Sequence, residues 1–233
     1  MADLKSGCVS YWPLHEKDGA TRTDIVGSNN FTQTGSGTLN RTPGYIRHRY
    51  GFGANFPGDG TVGTPYLIKT SPSNLPSSDI SIGGWVFPQS VYDGAWLLNN
   101  SDDGGTSWWE LGMYSNRFLW FILNGNIEVN TGSVAPVVNQ WQHVVVTHNH
   151  TGPVAKIYIN GKQQASASDG FTGTLATTLE LQIGNRKRGG DIRIINATVQ
   201  GWGIWNYVLS AADVLALYQG INHPFDDPTL IGL

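Results

Sequence analysis

The chain has 233 residues, a formal net charge of −3, 13% charged residues, 30 glycines, 11 prolines and a single cysteine. Its longest basic run is the triplet Arg186-Lys187-Arg188, so the broad positive field of a nucleic-acid binder is missing and nucleic acid is excluded as a partner. Cys8 stands alone, which excludes an internal disulfide and a cysteine-based metal site, and no stretch approaches the ~18 apolar residues that suggest membrane insertion.

The opening Met1-Ala2-Asp3-Leu4-Lys5-Ser6 shows no charged leader followed by an apolar run. This predicts synthesis in the cytosol without a signal peptide, and any role on a virion or cell surface then follows release by lysis or a non-classical route. A turn-rich, aromatic-rich chain of this length is expected to fold as one all-β unit over residues 1–220, with 221–233 as an extended tail interrupted by Pro224 and Pro228.

In chain order, Cys8–Leu14 reads as a first strand closed by Pro13, and Asp24–Phe31 as a turn leading into another strand. Ser28–Asn40 is rich in Ser, Thr, Gly and Asn and reads as loop with a short edge strand. Gly58, Gly60 and Gly63 match a dinucleotide-loop spacing, but no β-branched strand leads directly into them and Thr64–Ile68 reads as extended rather than helical. Ile80–Pro88 is a strand and Ala95–Asn99 begins another.

Between them and the next strands, Asn99, Ser101, Asp103, Gly104 and Glu110 imitate the spacing of a calcium loop. Trp108-Trp109 is a strand-like flank where an EF-hand needs a helix, so the expectation reduces to a looser Ca²⁺ site at Asp102 and Asp103, or a solvated turn. Trp109–Tyr114 and Arg117–Leu123 form a hairpin turning at Ser115-Asn116, and Asn124-Gly125 leads into Ile127–Asn130. Both alternating sets of Arg117–Leu123 are apolar, so one set faces the core and the other lies under a loop or lines a ligand face.

Trp141–Thr147, Val154–Ile159 and Lys162–Ala167 form a meander whose second turn is the Asn160-Gly161 pair, with Trp141, Val144 and Val146 expected to face the core. His143, His148 and His150 cluster here, but no acidic residue nearby completes a zinc set, and they read as a polar strand end. Leu179–Gly184, Asp191–Ile195 and Thr198–Trp205 supply the last strands. One helix follows, with Ser210 as N-cap, Asp213 in the first turn and Gly220 as C-cap.

Ser10-Tyr11-Trp12-Pro13-Leu14 with Asp24, Gly27 and Asn29, then ISIGGWV, NQWQHVVVT, KIYINGKQ, LQIGNR and IWNYVLSAADVLALYQG, stand in the order of a known motif series. Together they resemble laminin-G-like domains of the concanavalin A-like lectin/glucanase superfamily, including pentraxins and single-domain versions from phage and environmental bacteria. The resemblance spans roughly residues 7–220 and implies a jelly roll of two antiparallel sheets with one short C-terminal helix. Members often carry an acidic pair where this chain has Gln200 and Gly201, which removes that metal site. The glucanase Glu-x-Asp-x-Glu strand is missing as well: Glu16, Glu110, Glu128 and Glu180 are scattered along the chain.

The resemblance, the missing carboxylate pair and the aromatic surplus predict a non-catalytic recognition or structural module that binds glycan or protein surfaces. Its ligand-binding residues are expected among Trp108, Trp109, Tyr114, Trp120, Arg186 and Arg188, with homo-oligomer or virion neighbours as further partners. The alternative is a carbohydrate-active enzyme on the same fold, of glucanase or lyase type.

Overall fold

A computed structural model describes residues 4–19, 21–46, 49–58, 64–101, 108–122, 127–168, 171, 173–188, 191–192 and 194–220. The elements in chain order begin with β1 (Cys8–Trp12), β2 (Thr32–Thr34), β3 (Asn40–Ile46), β4 (Arg49–Pro57), β5 (Tyr66–Lys69) and β6 (Ile80–Ser90). There follow β7 (Ala95–Asn100), β8 (Trp109–Tyr114), β9 (Arg117–Ile122), β10 (Ile127–Asn130), β11 (Gln142–Asn149), β12 (Val154–Ile159) and β13 (Lys162–Ser168). The chain continues with β14 (Leu181–Ile183), β15 (Lys187–Arg188), β16 (Asp191–Ile192), β17 (Asn196–Trp205) and the helix α1 (Ala211–Gln219).

Two antiparallel sheets form a sandwich. The eight-stranded sheet runs β13-β12-β11-β6-β17-β4-β3 with β1 also paired to β17, and the seven-stranded sheet runs β10-β9-β8-β7-β14-β5-β2. Strand β17 changes partner along its length: residues 196–199 pair with β4 and residues 202–205 with β1. The switch falls at a bulge after Gln200, where Gly201 takes φ 59°. First and last strands are thus locked together.

Alternation along each strand explains the core. Val144, Val146 and His148 of β11 face inward, while His143, Val145 and Thr147 face outward, and all six are nearly inaccessible because both sheet faces are covered at this strand. The inner layer is one contiguous cluster running from Trp12 and Phe31 through Ile82, Leu98, Leu111 and Trp120 to Trp202 and Ile204. Two of the buried indoles are anchored by their N–H groups to distant backbone, Trp12 Nε1 donating to the Asn29 carbonyl at 2.7 Å and Trp202 Nε1 to the Trp85 carbonyl at 3.1 Å.

A second, smaller apolar cluster lies on the outer face of the eight-stranded sheet. There α1 and the N-terminal segment cover Val145, Tyr158 and Trp205 with Leu4, Cys8, Leu209, Val214 and Leu217. Ser210 caps the helix in a reciprocal box, accepting from the Asp213 N–H at 3.2 Å while Asp213 accepts from the Ser210 N–H at 3.1 Å. Gly220 closes it in the left-handed region at φ 64°.

The Asn160-Gly161 turn has positive φ at both residues, 52° and 77°, as a type I′ turn demands. One expectation is corrected. Trp141 does not face the core: it lies outside β11, half-buried, with its ring 5.5 Å from that of Phe87, because Gln142 pairs with Val86 and the residue before it falls on the opposite face. As the sequence indicates, no β-branched strand leads into Gly58: β4, which ends at Pro57, contains no Val, Ile or Thr. The extended β5 follows the glycines, and Gly60 and Gly63 lie outside the described residues.

The histidines do not converge. His148 packs inside against Phe171 with ring centroids 6.0 Å apart, His143 lies outside beside Trp85 at 5.0 Å, and His150 follows the strand with its N–H bonded to Asp79. The tail, residues 221–233, lies outside the described residues.

Candidate functional site

The outer face of the seven-stranded sheet carries chemistry that its position alone would not require. One cross-strand row reads Glu128, Phe121, Glu110, Asn99, Gln182, Ile68 and Thr32. The alternation of β8 produces it: Trp109, Leu111 and Met113 point into the core, so Glu110, Gly112 and Tyr114 point out. Glu110, Asn99 and Gln182 are each 0% exposed, which on an outer sheet face means that other groups lie over them.

Arg186 is the principal described cover. Its Nε lies 2.8 Å from Glu110 Oε1, and its guanidinium carbon lies 4.9 Å from the Trp96 ring centroid and 5.3 Å from that of Trp108. The planar cation is held between two aromatic faces and a carboxylate, an arrangement that lysine cannot reproduce. Local sequence permits it at both ends. A Cβ on Gly112 would fall 2.7 Å from the Trp96 ring, so glycine lets that indole lie flat across β8. Gly184 turns the chain with φ 85° after β14, and the Asn185 carbonyl then accepts from Asn99 Nδ2.

From Trp96 the contacts continue toward the sheet edge. Tyr114 meets Trp96 edge-on at 6.5 Å, the Arg117 guanidinium lies 4.9 Å over the Tyr114 ring, and Arg117 Nε is 3.6 Å from Glu128 Oε1. Asn130 Nδ2 donates to the same oxygen at 2.9 Å. The result is a ladder of rings and guanidinium groups, Trp108, Arg186, Trp96, Tyr114 and Arg117, with a carboxylate at each cation. Its Arg186 end is enclosed; its Arg117 end is open, the Arg117 and Glu128 side chains being 29% and 40% exposed. The interior amides are incompletely bonded: Gln182 Oε1 and both side-chain polar atoms of Asn185 have no hydrogen-bond partner among the described residues.

Of the residues anticipated from sequence, the fold brings Trp108, Tyr114 and Arg186 together in this ladder. Trp109 and Trp120 point the other way and stack on each other inside the core, centroids 5.9 Å apart at 26°, both 0% exposed. Arg188 lies in β15 opposite Asp191, its side chain outside the described residues, as are Asp102 and Asp103. Among the described residues no group of three or more His, Cys, Asp or Glu is placed to hold a metal ion.

Sequence reading missed Trp96, Arg117 and Glu128 as members. A signal was present for Asn99 and Glu110, the first and twelfth positions of the calcium-loop imitation, which become direct cross-strand partners in the β7–β8 hairpin. A separate cleft of about 470 Å³ lies elsewhere, between Val134, Val137, Gln142, Asn160, Lys162 and Tyr218.

This architecture, two antiparallel sheets packed face to face with a polar, ring-lined outer face, defines the class of jelly-roll β-sandwiches. Residues 61–215 match the concanavalin A-like lectin/glucanases superfamily in its laminin G type, and the chain belongs to that family. Domain 4 of AbnA, a GH43 extracellular arabinanase from Geobacillus stearothermophilus, solved with arabinotriose, is similar at 18% identity and TM-score 0.67, covering 91% of this chain and 98% of that one. The botulinum neurotoxin serotype C1 binding domain is similar at 18% identity and TM-score 0.67, covering 93% of this chain and 52% of that one. A botulinum neurotoxin type C structure, whose cell entry depends on interaction with two ganglioside molecules, gives 18% identity and TM-score 0.68, covering 94% of this chain and 52% of that one. This chain therefore spans about half the length of the toxin chains, and identities this low establish the fold alone. No curated protein sequence matches the chain. No described helix is long and apolar enough to cross a membrane.

Proposed function

We propose that the chain is a non-catalytic glycan-recognition module that holds sugars on the outer face of its seven-stranded sheet. The observation that carries this reading is the ladder Trp108–Arg186–Trp96–Tyr114–Arg117, with Glu110 and Glu128 beside its two cations. Planar rings and guanidinium groups match the apolar faces of sugar rings, and the carboxylate and amide neighbours match their hydroxyls. The open end at Tyr114, Arg117, Glu128 and Asn130 is the contact region, and the buried Glu110–Arg186 pair keeps its foundation rigid.

Support also comes from the fold neighbours, an arabinanase domain solved with arabinotriose and a toxin structure concerned with ganglioside interaction. The absence of catalysis in this proposal rests on how the carboxylates are used. A retaining glycosidase sets two carboxyl groups about 5 Å apart. Here Glu110 is bound to Arg186, and Glu128 stands two strands away, roughly 10 Å along the sheet. An assembly role in a virion or oligomer is suggested by a low-charge, single-domain chain with an irregular tail, and that tail, residues 221–233, lies outside the described residues.

Titration calorimetry with arabinotriose and with a ganglioside oligosaccharide tests the proposal. Binding of at least one, weakened tenfold or more in Tyr114→Ala and Arg117→Ala at unchanged melting temperature, is the expected result. Equal affinity in both variants overturns the site, and turnover of a β-glucan or alginate that disappears in Glu110→Gln overturns the non-catalytic assignment.

A further inference from the structure

The cleft of about 470 Å³ beside helix α1 stands apart from the arginine ladder, and its free hydrogen-bonding groups are mostly donors. The β11–β12 ladder, in which Val144 pairs with Ile159, brings Gln142 of β11 and Asn160 of the following turn to the same end of the sheet. Gln142 is 4% exposed, and its Oε1 accepts from the Val137 N–H at 2.7 Å. Asn160 Oδ1 accepts from the His143 N–H at 2.9 Å. Both amide oxygens are thus tied to backbone. The ends left without a partner among the described residues are the donors Gln142 Nε2 and Asn160 Nδ2. Lys162 adds an ammonium that has no ion pair among the described residues, and no described Asp or Glu lines the cleft. The remaining wall is apolar, from Val134, Val137, Ile159 and the Tyr218 ring. That ring packs against Trp85 at 5.7 Å and His143 at 6.1 Å, and Gly161 admits it, since a Cβ there would lie 2.8 Å from Tyr218 Cδ1.

We propose that this cleft binds an acidic sugar unit, a uronic or sialic acid, with its carboxylate held by Lys162, Gln142 and Asn160. Two amide donors and one ammonium, with no described carboxylate opposing them, supply charge-assisted hydrogen bonds to an anion of a single charge. Because backbone contacts fix both amides, their donors are in place before a ligand arrives. The rest of the lining favours a ring over a short acid. The half-buried Tyr218 and the two valines suit the apolar face of a sugar. Gln164, whose Nε2 donates to the Lys162 carbonyl at 3.3 Å, keeps its Oε1 as an acceptor for a hydroxyl. The volume lies within the ~300–1,000 Å³ common to small-molecule sites. The cleft shares no lining residue with the arginine ladder, so the two readings stand or fall separately.

The test is ligand-observed NMR titration of the full chain with glucuronic acid, N-acetylneuraminic acid, glucose and acetate. At least one acid sugar is expected to bind at least tenfold more tightly than either glucose or acetate. That affinity should fall at least tenfold in Lys162→Met and persist in Lys162→Arg. It should fall as far in Gln142→Glu, which keeps an acceptor for the Val137 N–H but puts a carboxylate where the donor stood. Lys162 is exposed, so Lys162→Met decides the matter even where Gln142→Glu does not fold. Neither acid preferred to glucose, acetate bound as tightly as the acid sugars, or affinity indifferent to Lys162→Met each overturns the proposal. So does loss of acid binding in Arg117→Ala with none in Lys162→Met, which assigns the acid to the arginine ladder.

Discussion

On the outer face of the seven-stranded sheet, Trp96 and Trp108 lie at 2% and 1% exposure beneath an arginine that is itself paired to an enclosed glutamate. On the open half of the eight-stranded sheet, Phe87 and Trp141 pack on each other with no charged group across them and stay half-buried. Both faces are rich in aromatic residues, yet only one holds them closed. The difference lies in the charges available: a cation on the loop after β14, paired to a carboxylate on β8, encloses one set of rings, whereas no described ion pair lies over Phe87 and Trp141. Aromatic content by itself therefore does not mark a ligand surface.

The largest effects should come from the closed face. Arg186→Met leaves Glu110 enclosed without its guanidinium and should cost about 3–5 kcal/mol in urea unfolding, with much of the loss recovered when Glu110→Gln is added. A single-variant cost below about 1 kcal/mol would show that the pair does not hold that face shut. Trp120→Ala, which opens the core beneath the same sheet, should cost about 3–5 kcal/mol, whereas Trp141→Ala on the open face should cost well under half as much. Equal losses would erase the distinction between the two surfaces.

Smaller effects sharpen the boundary between the covered and open halves of the other sheet. Ser210→Ala removes the capping box of α1 and should cost about 1 kcal/mol, measured by thermal or denaturant unfolding, while sparing glycan binding at the arginine ladder. Burial beneath the same helix layer pushes the Cys8 thiol up to about 12. The native chain should accordingly resist a disulfide exchange reagent at pH 8, where denatured chain reacts. Because the folded value is the higher one, this contribution to stability is fully present below the unfolded value and declines as the pH rises toward 12.

Local rules made the framework legible in the sequence. The Asn160-Gly161 turn, the Ser115-Asn116 hairpin and the Ser210 to Gly220 caps depend on neighbours only a few residues away, and each appears where local chemistry places it. Strand β4 was not legible, because its glycines suit contacts with Gln200 and Thr198, more than 140 residues further along. Trp109 and Trp120 showed the limits of composition: both alternating sets of β9 are apolar, and nothing within the strand says which set faces in.

The sequence by itself determined the all-β class, the family, the order of the motif-bearing strands and the helix limits, since periodicity, turn chemistry and capping are short-range properties. Only the tertiary structure decided which rings are enclosed and which are open. Those outcomes depend on strand register and on long-range partners: Glu110 meets Arg186, Asn99 meets Asn185, and Trp141 meets Phe87 only after distant segments are paired. A one-residue change of register would have turned each of these side chains to the opposite face, and no local pattern carries that information.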